Sequence, residues 1–203
     1  MRKMTQEDLQ QMERLERATF FNLLSGFKSP VLIGTRSGRG IPNLGLFSSL
    51  VHVGANPPLL GFILRPTTVP RHTYQNIQQT GSFTMNHVSE ALYRQAHQTS
   101  AKYAESASEF ELTGLTPVFS EGLEAPYVAE SPLRLGLHFE EEHLIRANST
   151  RLIVGRVKEI WMDENLEAEE GWFDPQALDL VGVAGLENYY RLFRIDRLPY
   201  ARP

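Results

Sequence analysis

The chain has no cysteine in its 203 residues. That excludes disulfides, thiol nucleophiles, paired-cysteine redox centres, thiolate-bound zinc and iron–sulfur clusters. Any redox chemistry has to come from a bound cofactor. Long apolar runs are also missing: stretches such as Leu59–Leu64 are far too short to cross a bilayer. There is no excess of positive charge. Twenty Lys and Arg against 24 Asp and Glu leave a net charge of −4, so nucleic acid and membrane are not expected as partners. The start, Met1-Arg-Lys-Met-Thr-Gln-Glu-Asp8, is polar with no apolar signal core behind it, and a cytoplasmic location is expected. In that location the glycosylation pattern Asn148-Ser149-Thr150 is idle. Nucleophile elbows, zinc-protease motifs and P-loops are absent.

What is present is a globular composition, 41% hydrophobic and 22% charged, in a length suited to one β-rich domain. Thr5–Leu24 reads as a leader helix. It has a Thr5/Asp8 capping box, an imperfect apolar face of Leu9, Met12, Leu15, Phe20 and Leu23, and Ser25-Gly26 as its end. The expected division is a helical leader over 1–25 and a domain over 26–203. Strand signals follow at Pro30–Thr35, Pro42–Val53 and Leu59–Arg65, then a helix over Pro70–Thr80 and a strand over Phe83–Val88. Ser89 is placed to cap a helix running to about His97. Alternation then marks Leu133, Leu135, Leu137 and Phe139. Thr150–Met162 changes phase after Gly155, which suggests a bulge there. Asp163–Asp174 reads as an acidic connection, and an aromatic tail follows. The fold class is mainly β, a meander of short antiparallel strands rather than a βαβ series.

Three clusters carry chemistry. Arg65-Pro-Thr-Thr-Val-Pro-Arg-His-Thr73 ends a strand and opens a helix. Exposed N–H groups at a helix start attract anions, and Arg65, Arg71, Thr67, Thr68 and Thr73 add donors suited to phosphate. An ordinary capped helix with surface arginines is the alternative. His97-Gln-Thr-Ser-Ala-Lys102 is a second donor cluster, or simply a polar loop. Asn43-Leu-Gly-Leu-Phe-Ser-Ser49 places small polar residues inside a strand. They admit a flat ligand against the backbone, or else they are edge serines facing water. His138, Glu140, Glu142 and His143 gather at a strand end, but their spacing fits no defined metal site, and no metal is expected.

The order of motifs carries a resemblance. Asn43 and Phe47-Ser48-Ser49 come first, then Asn56-Pro-Pro-Leu-Leu-Gly-Phe62. Thr67 to Asn76-Ile77, Gly81-Ser-Phe83-Thr84-Met-Asn86, Phe110 to Pro117 and Ala125 to Ser131 follow. From about Gly26 onward the chain resembles the flavin reductase-like family of FMN-binding split-barrel proteins. The resemblance implies a homodimeric antiparallel split β-barrel with a few peripheral helices, holding FMN near the subunit interface. It implies that Asn43, Phe47, Ser48 and Ser49 lie along the isoalloxazine and ribityl chain. Thr67, Arg71, His72 and Thr73, with Thr99 and Ser100, would hold the phosphate end. Asn86 would reach the ribityl side, and Tyr189 would cover the flavin, with the partner chain as one source. The sequence departs from that pattern at Ala147-Asn148-Ser149, where many relatives carry a Gly-Asp-His-like turn, and at Glu109, where many carry lysine.

A bound flavin performs the redox chemistry itself, so no catalytic side chain is assigned. Backbone N–H groups near Ser48 and Ser49 are placed to stabilise charge on the flavin. The implied activity is an NAD(P)H-dependent flavin reductase or FMN oxidoreductase, with NADH or NADPH as donor. The alternatives are a non-catalytic, flavoredoxin-like electron carrier and a flavin-free binding domain.

Overall fold

The computed structural model describes residues 1–104, 106–162, 166 and 173–202. In chain order these form α1 (Gln6–Gln11), α2 (Arg14–Leu24), β1 (Val31–Arg36), β2 (Pro42–Phe47), β3 (Leu50–Ala55), β4 (Pro58–Leu64), α3 (His72–Thr80), β5 (Ser82–His87), α4 (Tyr93–Gln98), α5 (Glu109–Thr113), β6 (Pro117–Ser120), β7 (Leu123–Val128), β8 (Leu133–Ile145), β9 (Thr150–Met162), β10 (Val181–Ala184) and β11 (Asn188–Arg191). Pairing between these strands is antiparallel throughout, as the meander of short runs predicts.

Seven strands make the main sheet, in the order β2-β1-β5-β8-β9-β4-β3. β2 and β3 are consecutive in sequence yet form its two opposite edges. Only Ser48 and Ser49 lie between them. A link that short reaches roughly 10 Å when extended. The sheet must therefore roll until its edges nearly meet, which gives a barrel with a slit between β2 and β3. Phe47 at the end of β2 packs edge-on against Phe62 of β4, with ring centroids 4.8 Å apart. The single strand expected over Pro42–Val53 is thus two strands, divided where the chain passes from one edge to the other.

Strand alternation sorts the side chains into two cores. Val31, Ile33, Phe83, Met85, Leu135 and Leu137 fill the barrel interior. Leu32 and Leu44, on the other face of β1 and β2, pack with Leu92, Ala96, Phe110 and Val128 beneath α4, α5 and β7. β7 lies very close to β1. A Cβ at Gly34 would sit 2.2 Å from the Pro126 carbonyl oxygen and 2.4 Å from Thr84 Oγ1. Gly155 likewise leaves space for Phe83, whose Cζ would be 2.4 Å from an added Cβ. The bulges that shift the phase of the long β8–β9 ladder fall at Glu140 in β8 and Lys158 in β9. The bulge at Glu140 lies opposite the Gly155–Val154 step, where the sequence suggests one, and the glycine also permits the close packing.

The leader departs from expectation. Its capping box forms, with Thr5 N–H donating to Asp8 and Asp8 N–H to Thr5. The single helix is broken at Met12, which is extended, and a new helix starts after Glu13. Neither helix buries a residue, and Leu15 is 80% exposed. Leu23 reaches the β10–β11 hairpin, where it would touch a Cβ on Gly185. Lys28 pairs with Val183 in an isolated bridge. Ser89 does not cap a helix. It bridges Leu180, and α4 begins at Tyr93. The acidic connection expected over Asp163–Asp174 lies largely outside the described residues. Among the described residues, no helix is long and apolar enough to cross a membrane.

His87, at the end of β5, has its Nδ1 shut away from water with no partner, and burial lowers its pKa to about 4. Between that value and the ordinary 6.5 the unfolded chain binds a proton that the folded chain refuses. Stability therefore rises with pH across this window. Acidification from pH 7 to 4 should cost up to ~3 kcal/mol from this group. Denaturant titrations of wild type and His87→Gln at both pH values check this, and the variant should lose that share of the dependence.

Candidate functional site

The site is built around the free edge of β2 and the segment that follows it. Asn43, Gly45 and Phe47 share one face of β2, while Leu44 and Leu46 share the other. On the first face Asn43 is buried, and its Nδ2 donates to Thr35 Oγ1 at 3.1 Å and to Thr73 Oγ1 at 3.3 Å. Asn76 Nδ2 donates to the same Thr35 hydroxyl at 3.1 Å. This buried network ties β1 and β2 to the first turns of α3. A Cβ on Gly45 would meet Phe47 and Thr73 Oγ1, each at 3.3 Å, so glycine keeps this face shallow.

The backbone edge is the second component. Leu44 N–H points away from β1 and donates to Glu109 Oε2 at 3.0 Å. Alternate residues of a strand turn their polar groups to the same side. Leu46 N–H and C=O therefore also face the open side, where no strand pairs with β2. At the end of β2 the chain turns through Ser48 and Ser49. The Ser49 hydroxyl donates to Ile63 C=O at 3.1 Å and accepts from Ile63 N–H at 3.0 Å. It continues the β3–β4 ladder one step beyond the Leu50–Phe62 pair. Ser48 is half-buried at the slit.

The loop between β4 and α3 gives the third component. Thr67 and Thr68 are exposed. Arg71 is the residue preceding α3, and no side chain caps the helix. Its first-turn N–H groups therefore lack intrahelical partners. Arg71 Nε donates to Pro66 C=O at 3.2 Å, which anchors the guanidinium over the loop through one nitrogen. Thr73 is buried under the turn, and His72 is half-exposed. His72 opens onto a polar pocket of about 380 Å³ lined by Ser37, Arg39, Gln75 and Gln79.

Other candidates from the sequence fall elsewhere. Asn86 is fully buried. Its Nδ2 donates to Leu32 C=O and Thr84 Oγ1, and its Oδ1 accepts from Val128 N–H. Both Nδ2 donors of Asn86 are thus used in cross-linking β1, β5 and β7, which leaves its amide only the second lone pair of Oδ1 for any ligand. Thr99 is buried, with its hydroxyl donating to Ala96 C=O at 2.8 Å, while Ser100 is exposed. Tyr189 packs on Tyr93 and His97, with its hydroxyl 3.1 Å from His97 Nδ1. Burial raises its pKa to about 12. It belongs to the core on the Leu44 and Leu46 side of β2, opposite Asn43 and Phe47. Within one chain these two groups face different ways. At the β8–β9 end, Glu140 is bound by Arg156 and Glu142 by Arg151 and Tyr74. No group of metal-ligating residues is found among the described residues.

Thr35, Asn76 and Glu109 join the site without having been assigned to it from sequence. Asn76 had a usable signal, because it sits three residues after Thr73 on one helix and so shares its face.

A slit antiparallel barrel with an open polar strand edge beside an uncapped helix start defines a split-barrel protein. The model for the flavin reductase like domain matches residues 24–180, and the chain belongs to that family. A crystal structure from Shewanella frigidimarina NCIMB 400, of a split-barrel protein whose flavin reductase activity is itself an assignment, superposes with TM-score 0.94. It is 45% identical and covers 98% of this chain and 100% of its own. Flavoredoxin of Desulfovibrio vulgaris (Miyazaki F) is 26% identical with TM-score 0.74, over 87% of this chain and 92% of its own. An uncharacterized protein of Deinococcus radiodurans is 30% identical over 84% of this chain and 79% of its length.

Ser49→Ala leaves the N–H and C=O of Ile63 without their partner. It should destabilise the fold by about 1–3 kcal/mol, measured by denaturant titration. Ser48→Ala, which removes no recorded bond, serves as the control.

Proposed function

We propose that the chain binds FMN at the β2 edge and acts as an NAD(P)H-dependent flavin reductase or FMN oxidoreductase. The observation that carries this is the convergence of three surfaces at the barrel slit: the backbone edge at Leu46, the apolar wall at Phe47, and the uncapped start of α3 beside Arg71. That donor set suits a flat heterocycle with a polar rim and a phosphate tail. Arg71, Thr67, His72 and the first-turn N–H groups of α3 would hold the phosphate, with Thr73 supporting the turn. Phe47, Ser48 and Ser49 would line the ring system, with Asn43 fixing the strand beneath it. Family membership and the likeness to the Shewanella protein support the reading.

When bound, a flavin supplies hydride and electron transfer. The chain's part is to orient the ring, hold the phosphate and direct backbone dipoles at the ring's polar rim. No side chain is given an acid–base role. A non-catalytic electron carrier is the second reading, supported by the likeness to flavoredoxin. The functional unit is read as a homodimer of domains spanning 26–203. The leader over 1–25 would pack on the second copy and Tyr189 would reach the site across the interface. Exposed Leu15, Phe21 and Leu24 in the leader, with Val51 and Val53 on β3, support a covered surface.

The purified protein should take up FMN in a yellow one-to-one complex. Arg71→Ala should weaken binding about tenfold or more, through loss of a charge-assisted hydrogen bond; unchanged affinity would refute the phosphate assignment. Anaerobic mixing with NADH or NADPH separates the two readings. Rapid bleaching identifies a reductase, whereas bleaching by dithionite alone identifies a carrier. Sedimentation should report a dimer mass.

A further inference from the structure

Glu109 is the one charged side chain among the buried residues described, at 7% exposure. Nothing in the proposed function uses it. It opens α5, and its Oε2 accepts Leu44 N–H at the free edge of β2. Burial pushes its pKa up. The Leu44 N–H, its own backbone N–H and nearby His72 only partly offset this, and the net shift is upward. A carboxylate in a protein interior is costly unless its hydrogen bonds and neighbouring charges offset desolvation. Gln has almost the same shape and would accept the same hydrogen bond without that cost. What Gln cannot supply is a negative charge at this point of the edge.

We propose that Glu109 is a positioning residue that clamps the β2 edge through Leu44 and lowers the affinity of the site for reduced flavin relative to oxidised flavin, making the bound cofactor a stronger reductant. The inference rests on the reading of this edge as the flavin site. Two-electron reduction with uptake of one proton leaves the flavin with an added negative charge. A fixed carboxylate at Leu44, two residues from Leu46 along the strand edge, opposes that charge. At an effective dielectric of ~20, unit charges on the order of 10 Å apart shift an equilibrium by roughly tenfold. The hydrogen bond and the charge are separable. Glu109→Gln keeps the acceptor and removes the charge, and Glu109→Ala removes both.

The experiment compares wild type, Glu109→Gln and Glu109→Ala, each with FMN. Dissociation constants for oxidised FMN come from fluorescence quenching, and midpoint potentials from anaerobic dithionite titration against a reference dye. Glu109→Gln should bind oxidised FMN at least as tightly as wild type, because the carboxylate near His72 also opposes the phosphate. Its ratio of reduced to oxidised affinity should rise about tenfold, which is about 30 mV for a two-electron couple. Glu109→Ala should also weaken oxidised FMN binding by tenfold or more. A Glu109→Gln potential equal to that of wild type overturns the electrostatic role, and an unweakened Glu109→Ala overturns the clamp. Wild type that binds no flavin refutes the flavin reading instead. The clamp is then judged in the apo protein by amide exchange at Leu44: protection in wild type and Glu109→Gln but not in Glu109→Ala supports it, and equal exchange in all three overturns it.

Discussion

Everything at the site depends on a two-residue link. β2 and β3 lie at opposite edges of a seven-stranded sheet, and Ser48 and Ser49 alone connect them. A link of that length cannot cross a flat sheet whose strands lie almost 5 Å apart, so the sheet has to curl. Full closure would pair β2 with β3 and consume every backbone group on both edges. Two residues could equally join a paired hairpin, but here β2 and β3 stay unpaired as the two edges. Ser49 satisfies Ile63 with its side chain where a ladder would otherwise continue. The curl of the sheet follows from the two-residue link, and the slit from the missing β2–β3 ladder.

An unpaired strand edge is ordinarily a liability for aggregation. Here it is flanked on both faces. α3 is bound to one face through Thr73, Asn43, Thr35 and Asn76. α4 and α5 cover the other over Leu44, with Phe110 and Ala96 in the shared core. Glu109 closes the edge at Leu44 from α5. What remains open is a short stretch ending at Phe47. Fold stability and site geometry are therefore coupled: the residues that hold β2 in place also shape the surface it offers.

The architecture was legible in the sequence where local chemistry decides it. The strands around Val31, Leu60, Phe83 and Leu135 declare themselves by alternation or β-branching, and Gly81 ends α3 in the left-handed conformation its position suggests. The ordered motifs pointed to the family. Long-range geometry was less legible. The break at Ser48 looks in sequence like two odd residues within one strand, because nothing local says that the neighbouring strands sit on opposite edges. The cross-linking role of Asn86 was not legible, because its partners, Leu32 C=O and Val128 N–H, come from distant strands. Tyr189 stands near the site in sequence logic but on the far face of β2, since only the three-dimensional pairing of β11 with β10 fixes its side.

Charge explains why the site is read more securely from its corner than from the whole chain. The net charge of −4 says nothing about an anion site, because exposed charges more than a Debye length of ~10 Å apart are screened from one another. Arg71 acts over a much shorter range, and its Nε contact to Pro66 C=O fixes it where the helix dipole of α3 already favours an anion. Glu109 is buried and therefore little screened, and it acts on His72 at the same helix start. A phosphate held at α3 and this carboxylate therefore oppose one another. Retention of a phosphorylated cofactor would then fall to Arg71 and the first-turn N–H groups of α3, while the carboxylate disfavours any further negative charge at the strand edge.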